Sequence, residues 1–277
     1  MIDSILLLPF QFGFMQKAFL LAVILAVPAA LLSCFLVIKG WALMGDAISH
    51  AVLPGIVIAY GFGLPLILGA FAAGMFCAAA TGYITEHSRV KPDTVMGVVF
   101  AGMFGLGITL YVAMDTAIHL DHVLFGNLLG VDDDMLIMAL GLAAAISLGL
   151  LMKWKDVLLY CFDEVQARTA GLSVRALHYG LLTALTLMIV ATLSATGLIL
   201  AIGLMIAPGA IAFLLTRRFS TMLILAVGVA VFAMTLGVYA SFFLDSAPAP
   251  TIIMVFTILF IAAFLWRLYP RPSKTSA

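Results

Sequence analysis

The sequence has very few charged residues for its length. Only 9% of its 277 residues are Asp, Glu, Lys or Arg, whereas 65% are hydrophobic and the mean hydropathy is +1.25. This composition leaves too little polar surface to cover a water-soluble globule of this size. The formal net charge is zero, and no basic stripe with interleaved aromatic residues occurs, which argues against nucleic acid as a partner. We therefore expect a protein whose main solvent is lipid.

Cysteines and linkers are equally scarce. Cys34, Cys77 and Cys161 lie far apart and form no CxxC pair, so we expect inert thiols rather than a disulfide framework or a thiolate metal site. No linker, composition shift or repeat divides the chain, and residues 1–277 are interpreted as one transmembrane domain. A lone signal peptide or tail anchor does not fit, because apolar segments recur along the whole chain.

Long apolar runs, by contrast, are abundant. A helix needs about 20 apolar residues to cross a hydrocarbon core of about 30 Å. Nine stretches meet this requirement: 18–38, 42–61, 65–85, 94–113, 135–152, 177–195, 198–216, 221–244 and 251–266. The sixth and seventh are separated by two residues only, so they could instead form one broken or re-entrant element. The sequence thus predicts an all-α, polytopic transmembrane bundle of eight or nine spans.

Lysine and arginine define the orientation of this bundle. With nine alternating spans, all of them except Lys17 fall on one side, which the positive-inside rule identifies as the cytoplasm. The C-terminus is then cytoplasmic and the N-terminus outside. The 16 N-terminal residues include an apolar stretch, 2–14, which could lie in the outer interface. The outer loops are acidic, as a cation entrance would be, although simple solvation explains them equally well.

One acidic residue, Asp46, falls inside a predicted span. An ionisable group at membrane depth costs at least ~2.5 kcal/mol on insertion scales and usually marks a substrate or proton path. His50 follows at i+4, which places both side chains on one helical face. At ~1.5 Å per residue from Lys39, Asp46 lies roughly 10 Å deep and His50 roughly 16 Å deep. Two interpretations stand: a site for a transported ion, or a hydrogen-bonded pair that holds helices together.

Carboxylate and imidazole donors suit Mn²⁺, Fe²⁺ or Zn²⁺ and suit Cu(I) poorly. Pro54 deprives the His50 carbonyl of its usual helical donor, which either kinks the helix or offers an oxygen to the ion. Two ligands make a weak site. A second copy, or a related chain, placed about a twofold axis would bring four side chains together.

Two segments outside the second span are further candidates for function. His119, Asp121 and His122 form an HxDH pattern that could bind a divalent cation at the outer mouth, although such loop residues are commonly only solvated. Pro208 and Gly209 interrupt the seventh span, and broken helices line cavities in transporters; a plain kink is the alternative.

The longest cytoplasmic connection is residues 153–175. Within it, Asp163 followed by a helix-forming run and then Gly171 predicts an N-cap, a short helix and a C-terminal stop. Such a helix on the cytoplasmic face could dock a soluble partner.

With GDAISHAVLPG in the second span and FDEVQARTAGLSV before the sixth, the chain resembles the ABC-3 family of permeases, the membrane subunits of bacterial manganese, iron and zinc ABC importers. PFQFGFMQKAF and AIGLMIAPGAIAF extend the likeness over nearly the whole chain. The resemblance implies a plasma (inner) membrane permease that pairs with a second permease, a cytoplasmic ABC ATPase and an extracytoplasmic metal-binding protein. It also implies that Asp46 and His50 contact the metal, and that Asp163, Glu164 and Gly171 belong to the coupling helix in the ATPase groove.

The leading hypothesis is therefore a non-catalytic permease subunit of an ATP-driven Mn²⁺ or Fe²⁺ importer, with Zn²⁺ as a further candidate. We expect no permanently bound cofactor, because the metal is the substrate. The chain has no G-x-x-x-x-G-K-[ST] loop, which is consistent with an ATPase on another subunit. The alternative is a proton- or sodium-coupled transporter that uses Asp46 and His50 as a proton relay. An intramembrane metalloenzyme fits poorly, since no HExxH or Ser–His pattern lies at membrane depth.

Overall fold

The computed structural model describes residues 8–114 and 128–268. Within those residues it is built of helices and short connections, without a β-strand, which confirms the predicted all-α class. A 3-10 helix, Leu8–Gln11, is followed by eleven α-helices: α1 (Gly13–Lys39), α2 (Met44–Ala51), α3 (Leu53–Gly61), α4 (Leu66–His87), α5 (Pro92–Ala113), α6 (Asp133–Phe162), α7 (Glu164–Thr169), α8 (Val174–Thr196), α9 (Leu198–Leu215), α10 (Phe219–Leu244) and α11 (Pro248–Leu268).

Eight of the described helices are long and apolar enough to cross a membrane: α1, α4, α5, α6, α8, α9, α10 and α11. Helices α2 and α3 are each too short, but only Val52 separates them. The Val52 N–H donates to the Ile48 carbonyl and its own carbonyl accepts from Ile56 N–H, both at 3.1 Å. Together they form one interrupted span over 44–61. The predicted bundle of eight or nine spans is thereby confirmed.

Helix α1 lies at the centre of the bundle. It packs against α6, α9 and α10 and is the most buried of the eight uninterrupted spans. Ala22, Ala26, Ala29 and Ala30 are all fully buried along it. Since lipid is as apolar as the helices themselves, membrane helices associate through close packing, and small side chains permit it. The small alanine side chains of α1 therefore allow α6, α9 and α10 to pack closely against it.

A single residue separates α8 from α9. Gly197 has φ 83° and ψ 174°, a conformation that residues with a side chain rarely adopt. Its N–H nevertheless donates to the Leu193 carbonyl at 3.0 Å, and its carbonyl accepts from Ala201 N–H at 3.2 Å. The chain therefore changes direction without leaving this peptide unpaired, and the sixth and seventh predicted spans are two separate helices.

Helix α6 bends at Lys153, whose φ of −116° and ψ of 17° are not helical. The bend comes one residue after the predicted span 135–152 ends, and the helix then continues to Phe162. The predicted span 135–152 thus ends at the bend. The rest of α6, which contains Lys153 and Lys155, leads to α7.

Glycine allows the closest helix contact in the region of α3 and α4. A Cβ on Gly55 would overlap the Gly69 carbonyl oxygen, and a Cβ on Gly69 would overlap the Gly55 carbonyl oxygen. Gly102 and Gly105 of α5 differ, because nothing lies within 4 Å of the Cβ either would carry. The close approach we expect of small residues therefore occurs at Gly55 and Gly69, whereas Gly102 and Gly105 leave an open surface on α5.

Substitution of Gly55 by Ala is expected to destabilise the bundle, because the added methyl group would overlap the backbone of Gly69. Overpacking of this kind typically costs about 1–3 kcal/mol. Thermal unfolding of the detergent-solubilised chain should therefore occur at a lower temperature in Gly55→Ala than in the wild type. Gly102→Ala is the matched control, and equal stability of the two variants would contradict the contact.

Candidate functional site

Asp46 and His50 lie one turn apart on α2, and the His50 Nε2 is 3.4 Å from the Asp46 Oδ1. This separation exceeds that of an ordinary hydrogen bond, so the two polar groups are near one another without being locked together. About a third of the Asp46 side chain and a quarter of the His50 side chain are exposed, at 34% and 27%. The pair therefore faces an open surface of the chain and not its core.

The opposite face of α2 is firmly anchored. Ala47, Ile48 and Ala51 are buried, and the Ser49 hydroxyl donates to the Gly45 carbonyl at 2.8 Å. Helix α2 packs on α4, α5, α8 and α9. With one face buried, the i, i+4 spacing of Asp46 and His50 directs both side chains to the other face.

Two aromatic rings from α5 flank His50. The Phe100 ring is stacked on the imidazole at a centroid distance of 5.9 Å, and Phe104 meets it edge-on at 5.2 Å. These contacts restrict the rotation of the imidazole and shield part of it. The sequence analysis missed both residues, although Phe100 and Phe104 are themselves spaced i, i+4 within a predicted span and so share one helical face.

The interruption of this span lies just beyond the pair. Pro54 occupies the first turn of α3, where a missing N–H is tolerated. The His50 carbonyl, which loses its usual donor to Pro54, is approached by the Val52 N–H. A Cβ on Gly107 would come within 2.9 Å of the Pro54 ring, so Gly107 lets α5 pack directly on the break. The structure thus has a helix boundary at Val52, next to Pro54, and whether the His50 carbonyl also serves an ion stays a prediction.

The predicted outer-mouth group falls outside the described residues. His119, Asp121 and His122 belong to 115–127, and their role as a second metal site stays a prediction.

Pro208 and Gly209 lie within a continuous α9 and are buried. The Ser33 hydroxyl of α1 donates to the Ile206 carbonyl at 3.1 Å and accepts from the Gly209 N–H at 2.9 Å. The described contacts thus place the pair in a tight junction between α9 and α1, and the helix does not break there as the sequence suggested. Their place beside a translocation path stays a prediction.

The segment before α8 has the predicted local structure. The Asp163 Oδ1 accepts from the N–H groups of Val165 and Gln166 at 2.8 and 2.9 Å, so Asp163 is the N-cap of α7. Gly171 follows the helix with φ 80°, and its N–H donates to the Arg168 carbonyl at 3.1 Å. The N-cap and the glycine stop are both confirmed.

An ion pair joins α7 to the end of α1. The Lys39 Nζ is 2.5 Å from the Glu164 Oε1, and only 11% of the Lys39 side chain is exposed. By comparison, the pair of Lys17 and Asp133 at the other end of α1 is 42% and 78% exposed. Exposed pairs are worth little because water screens them, so the Lys39 pair is the stronger link.

Aromatic residues complete the surroundings of Lys39. Its Nζ lies 4.1 Å from the ring centroid of Tyr160 and 5.6 Å from that of Trp41. The Tyr160 hydroxyl is 2.8 Å from the His178 Nδ1, and Trp41 meets His178 edge-on at 5.3 Å. These four residues, with Glu164, join α1, α6, α7 and α8 beside the turn 40–43 that leads into α2. Sequence patterns could not bring them together, since they come from four separate segments.

Asp46 and His50 by themselves supply only two of the ligands that a metal ion takes. They offer one carboxylate and one imidazole, and within 8–114 and 128–268 no group of three His, Cys, Asp or Glu side chains is arranged to hold a metal ion. A divalent cation bound there alone would keep most of its ligands as water, which favours weak and reversible binding.

Comparison with known proteins identifies relatives along nearly the whole chain. The model of the ABC 3 transport family matches residues 11–267. The chelated iron transport system membrane protein YfeD of Yersinia pestis is 52% identical over 99% of this chain and 92% of its own length. The manganese transport system membrane protein MntB of Synechocystis sp. is 39% identical over 93% of this chain and 84% of its own. The solved structure of PsaBC from Streptococcus pneumoniae in complex with Fab superposes with a TM-score of 0.83 at 33% identity, covering 95% of this chain and 94% of that one.

Substitution of Asp163 by Ala is expected to loosen α7, because two backbone N–H groups lose their acceptor. Loss of an N-cap typically costs about 1 kcal/mol, so amide hydrogen exchange within α7 should become roughly fivefold faster. Asp156→Ala is the control, since the Asp156 carboxylate only pairs with Lys153, at 4.0 Å in the same helix. Unchanged exchange in Asp163→Ala would contradict the capping role.

Proposed function

Since this chain belongs to the ABC 3 transport family, we propose that it is the permease subunit of an ATP-driven importer of a divalent transition metal ion. The observation that carries the proposal is the Asp46–His50 pair, one ionisable pair held on an open face at the break of a membrane span. Charged groups at membrane depth are rare and mark ion paths. In this proposal the ion passes Asp46 and His50 on its way across the bilayer.

The donor chemistry selects the class of ion. A carboxylate oxygen and an imidazole nitrogen suit Mn²⁺, Fe²⁺ and Zn²⁺. The names of the two relatives, which refer to chelated iron and manganese, favour Mn²⁺ or Fe²⁺ over Zn²⁺. The ion is the substrate, and no resident cofactor is part of the proposal.

A second permease chain, identical or homologous, would complete the site. Two ligands hold a cation weakly, and a twofold partner would contribute two more. Support comes from α5, the least buried of the eight spans, which flanks His50 and has an open surface at Gly102 and Gly105. A partner placed against that surface would pack on the helix whose other face flanks His50.

The remaining partners follow from the family. ATP hydrolysis lies on a cytoplasmic ABC ATPase, and an extracytoplasmic protein delivers the metal. We assign the segment 153–175, with Asp163, Glu164 and Gly171, to contact with the ATPase. The chain lies in the bacterial inner membrane with its C-terminus in the cytoplasm and its N-terminus outside, because the lysines and arginines gather at one set of helix ends.

Lys39 connects the segment that we assign to the ATPase with the helix that carries Asp46 and His50. It binds Glu164 at the start of α7, and the turn that follows it leads within a few residues to Asp46. A displacement of α7 by the ATPase would therefore pull on the turn that positions α2. The family membership does not favour the proton-coupled alternative, which has no use for such a link.

Uptake of Mn²⁺, Fe²⁺ and Zn²⁺ into liposomes that contain the chain, its ATPase and its binding protein tests the transport proposal. Asp46→Ala and His50→Ala should each lower ATP-dependent uptake by more than about tenfold, the loss that even supporting residues of metal sites cause. The complex should still assemble, as measured by co-purification of the ATPase. His87→Ala is the control, because His87 is exposed and its hydrogen bond and ring contact in the described part of the chain are both with Tyr83 of its own helix.

Two results would count against the transport proposal. Unchanged uptake in both variants would reduce the pair to a contact between helices. Uptake that survives ATP depletion but collapses with an uncoupler would favour the proton-coupled alternative.

Substitution of Lys39 by Met should uncouple hydrolysis from transport. The number of ions moved per ATP is expected to fall roughly fivefold or more, since a charge-assisted contact is worth about 1 kcal/mol or more. Lys39→Arg retains the charge and should retain most of the coupling. Lys153→Met is the matched control, because Lys153 is 69% exposed and pairs only within α6. If Lys39→Met moves as many ions per ATP as the wild type, Lys39 does not couple ATP hydrolysis to transport.

A further inference from the structure

A groove opens between helices at the cation-rich end of the bundle. It has a volume of about 910 Å³ and is bordered by the ends of α1, α6, α9, α10 and α11. Its inner lining is apolar and includes Val37, Leu158, Phe213 and Met222. The shape and lining suit a hydrocarbon chain more than a soluble metabolite.

Four cationic side chains border the same groove: Lys155, Arg217, Arg218 and Arg267. All four are exposed, and the lining contains no acidic residue. In the part of the chain that the structure describes, none of them has a carboxylate within 4.0 Å, whereas Lys17, Lys39 and Lys153 each have one. This concentration of positive charge is therefore not neutralised by any carboxylate of the described residues.

The groove lies at the depth of the lipid headgroups. Val37 is in the last turn of α1, Arg217 and Arg218 join α9 to α10, and Arg267 is in the last turn of α11. Trp154 and Phe219, whose rings are stacked at 6.1 Å, also line it. Aromatic rings beside cations are typical of the membrane–water interface.

We propose that this groove binds one anionic phospholipid of the cytoplasmic leaflet. The phosphate group would lie among the arginines, whose guanidinium groups match phosphate geometry, and an acyl chain would lie along the apolar lining. Charge complementarity carries the choice of occupant, because a zwitterionic lipid brings no net negative charge to balance the four cations. The proposal is independent of the transported ion and of the ATPase.

Native mass spectrometry of the full-length chain, titrated with phosphatidylglycerol or phosphatidylcholine, tests this site. The wild type is expected to retain phosphatidylglycerol preferentially. Each cation near the membrane surface contributes about fivefold to binding of anionic lipid, so Arg217→Gln/Arg218→Gln should bind it about 25-fold more weakly. Lys155→Gln/Arg267→Gln, on other helices of the same rim, should show a similar loss.

The control is Arg89→Gln/Lys91→Gln, which removes two exposed cations between α4 and α5, away from the groove. It should bind phosphatidylglycerol as the wild type does. Equal loss in the control and the groove variants would overturn the proposal, as would equal retention of the two lipids by the wild type.

Two other occupants give distinct results. Inorganic phosphate that raises the unfolding temperature as much as phosphatidylglycerol does would identify a free-anion site and overturn the lipid assignment. A dimer peak that needs Arg217 and Arg218 but no lipid would identify a contact between protein chains and overturn it equally.

Discussion

The whole structure depends on one constraint: in hydrocarbon, each backbone N–H and C=O must find its partner within the protein. Helices satisfy this requirement locally, and the described chain is accordingly helical wherever it crosses the membrane. Where the chain turns between helices or a proline removes a backbone donor, other hydrogen bonds are present. Gly197 keeps both of its hydrogen bonds while the chain turns, and the Ser33 hydroxyl contacts the backbone of α9 on both sides of Pro208.

The same constraint applies to polar side chains in the bundle, because hydrocarbon offers them no hydrogen-bond partners. Since desolvation penalises charged groups most, the charged side chains discussed above are paired or face an opening. Asp46 and His50 face an opening beside Phe100 and Phe104. Lys39 is largely buried and is met by Glu164 and by the ring of Tyr160. The turn 40–43 connects these two polar centres, so the segment that we assign to the ATPase and the pair that we assign to the ion path are joined by a few residues.

The surfaces left open by a single chain are also informative. The exposed face of α5, on the side of that helix away from His50, has unfilled space at Gly102 and Gly105, which suits a second helical chain. The groove beside Arg217 and Arg218 combines an apolar lining with cations that have no carboxylate partner among the described residues, which suits a charged lipid. The difference in charge between the two surfaces fits the neighbour that we propose for each, a protein chain within the bilayer for α5 and a lipid headgroup for the groove.

The sequence by itself determined the features that depend on neighbours along the chain. Hydropathy predicted the spans, the i, i+4 spacing predicted the shared face of Asp46 and His50, and Asp163 and Gly171 predicted both ends of α7, because helix formation and capping are local. Only the tertiary structure decided that Phe100 and Phe104 flank His50, that Lys39 meets Glu164, and that Pro208 and Gly209 lie in a continuous helix against α1. These contacts join residues that are distant in sequence, and the close packing of whole helices brings them together, which no local pattern encodes.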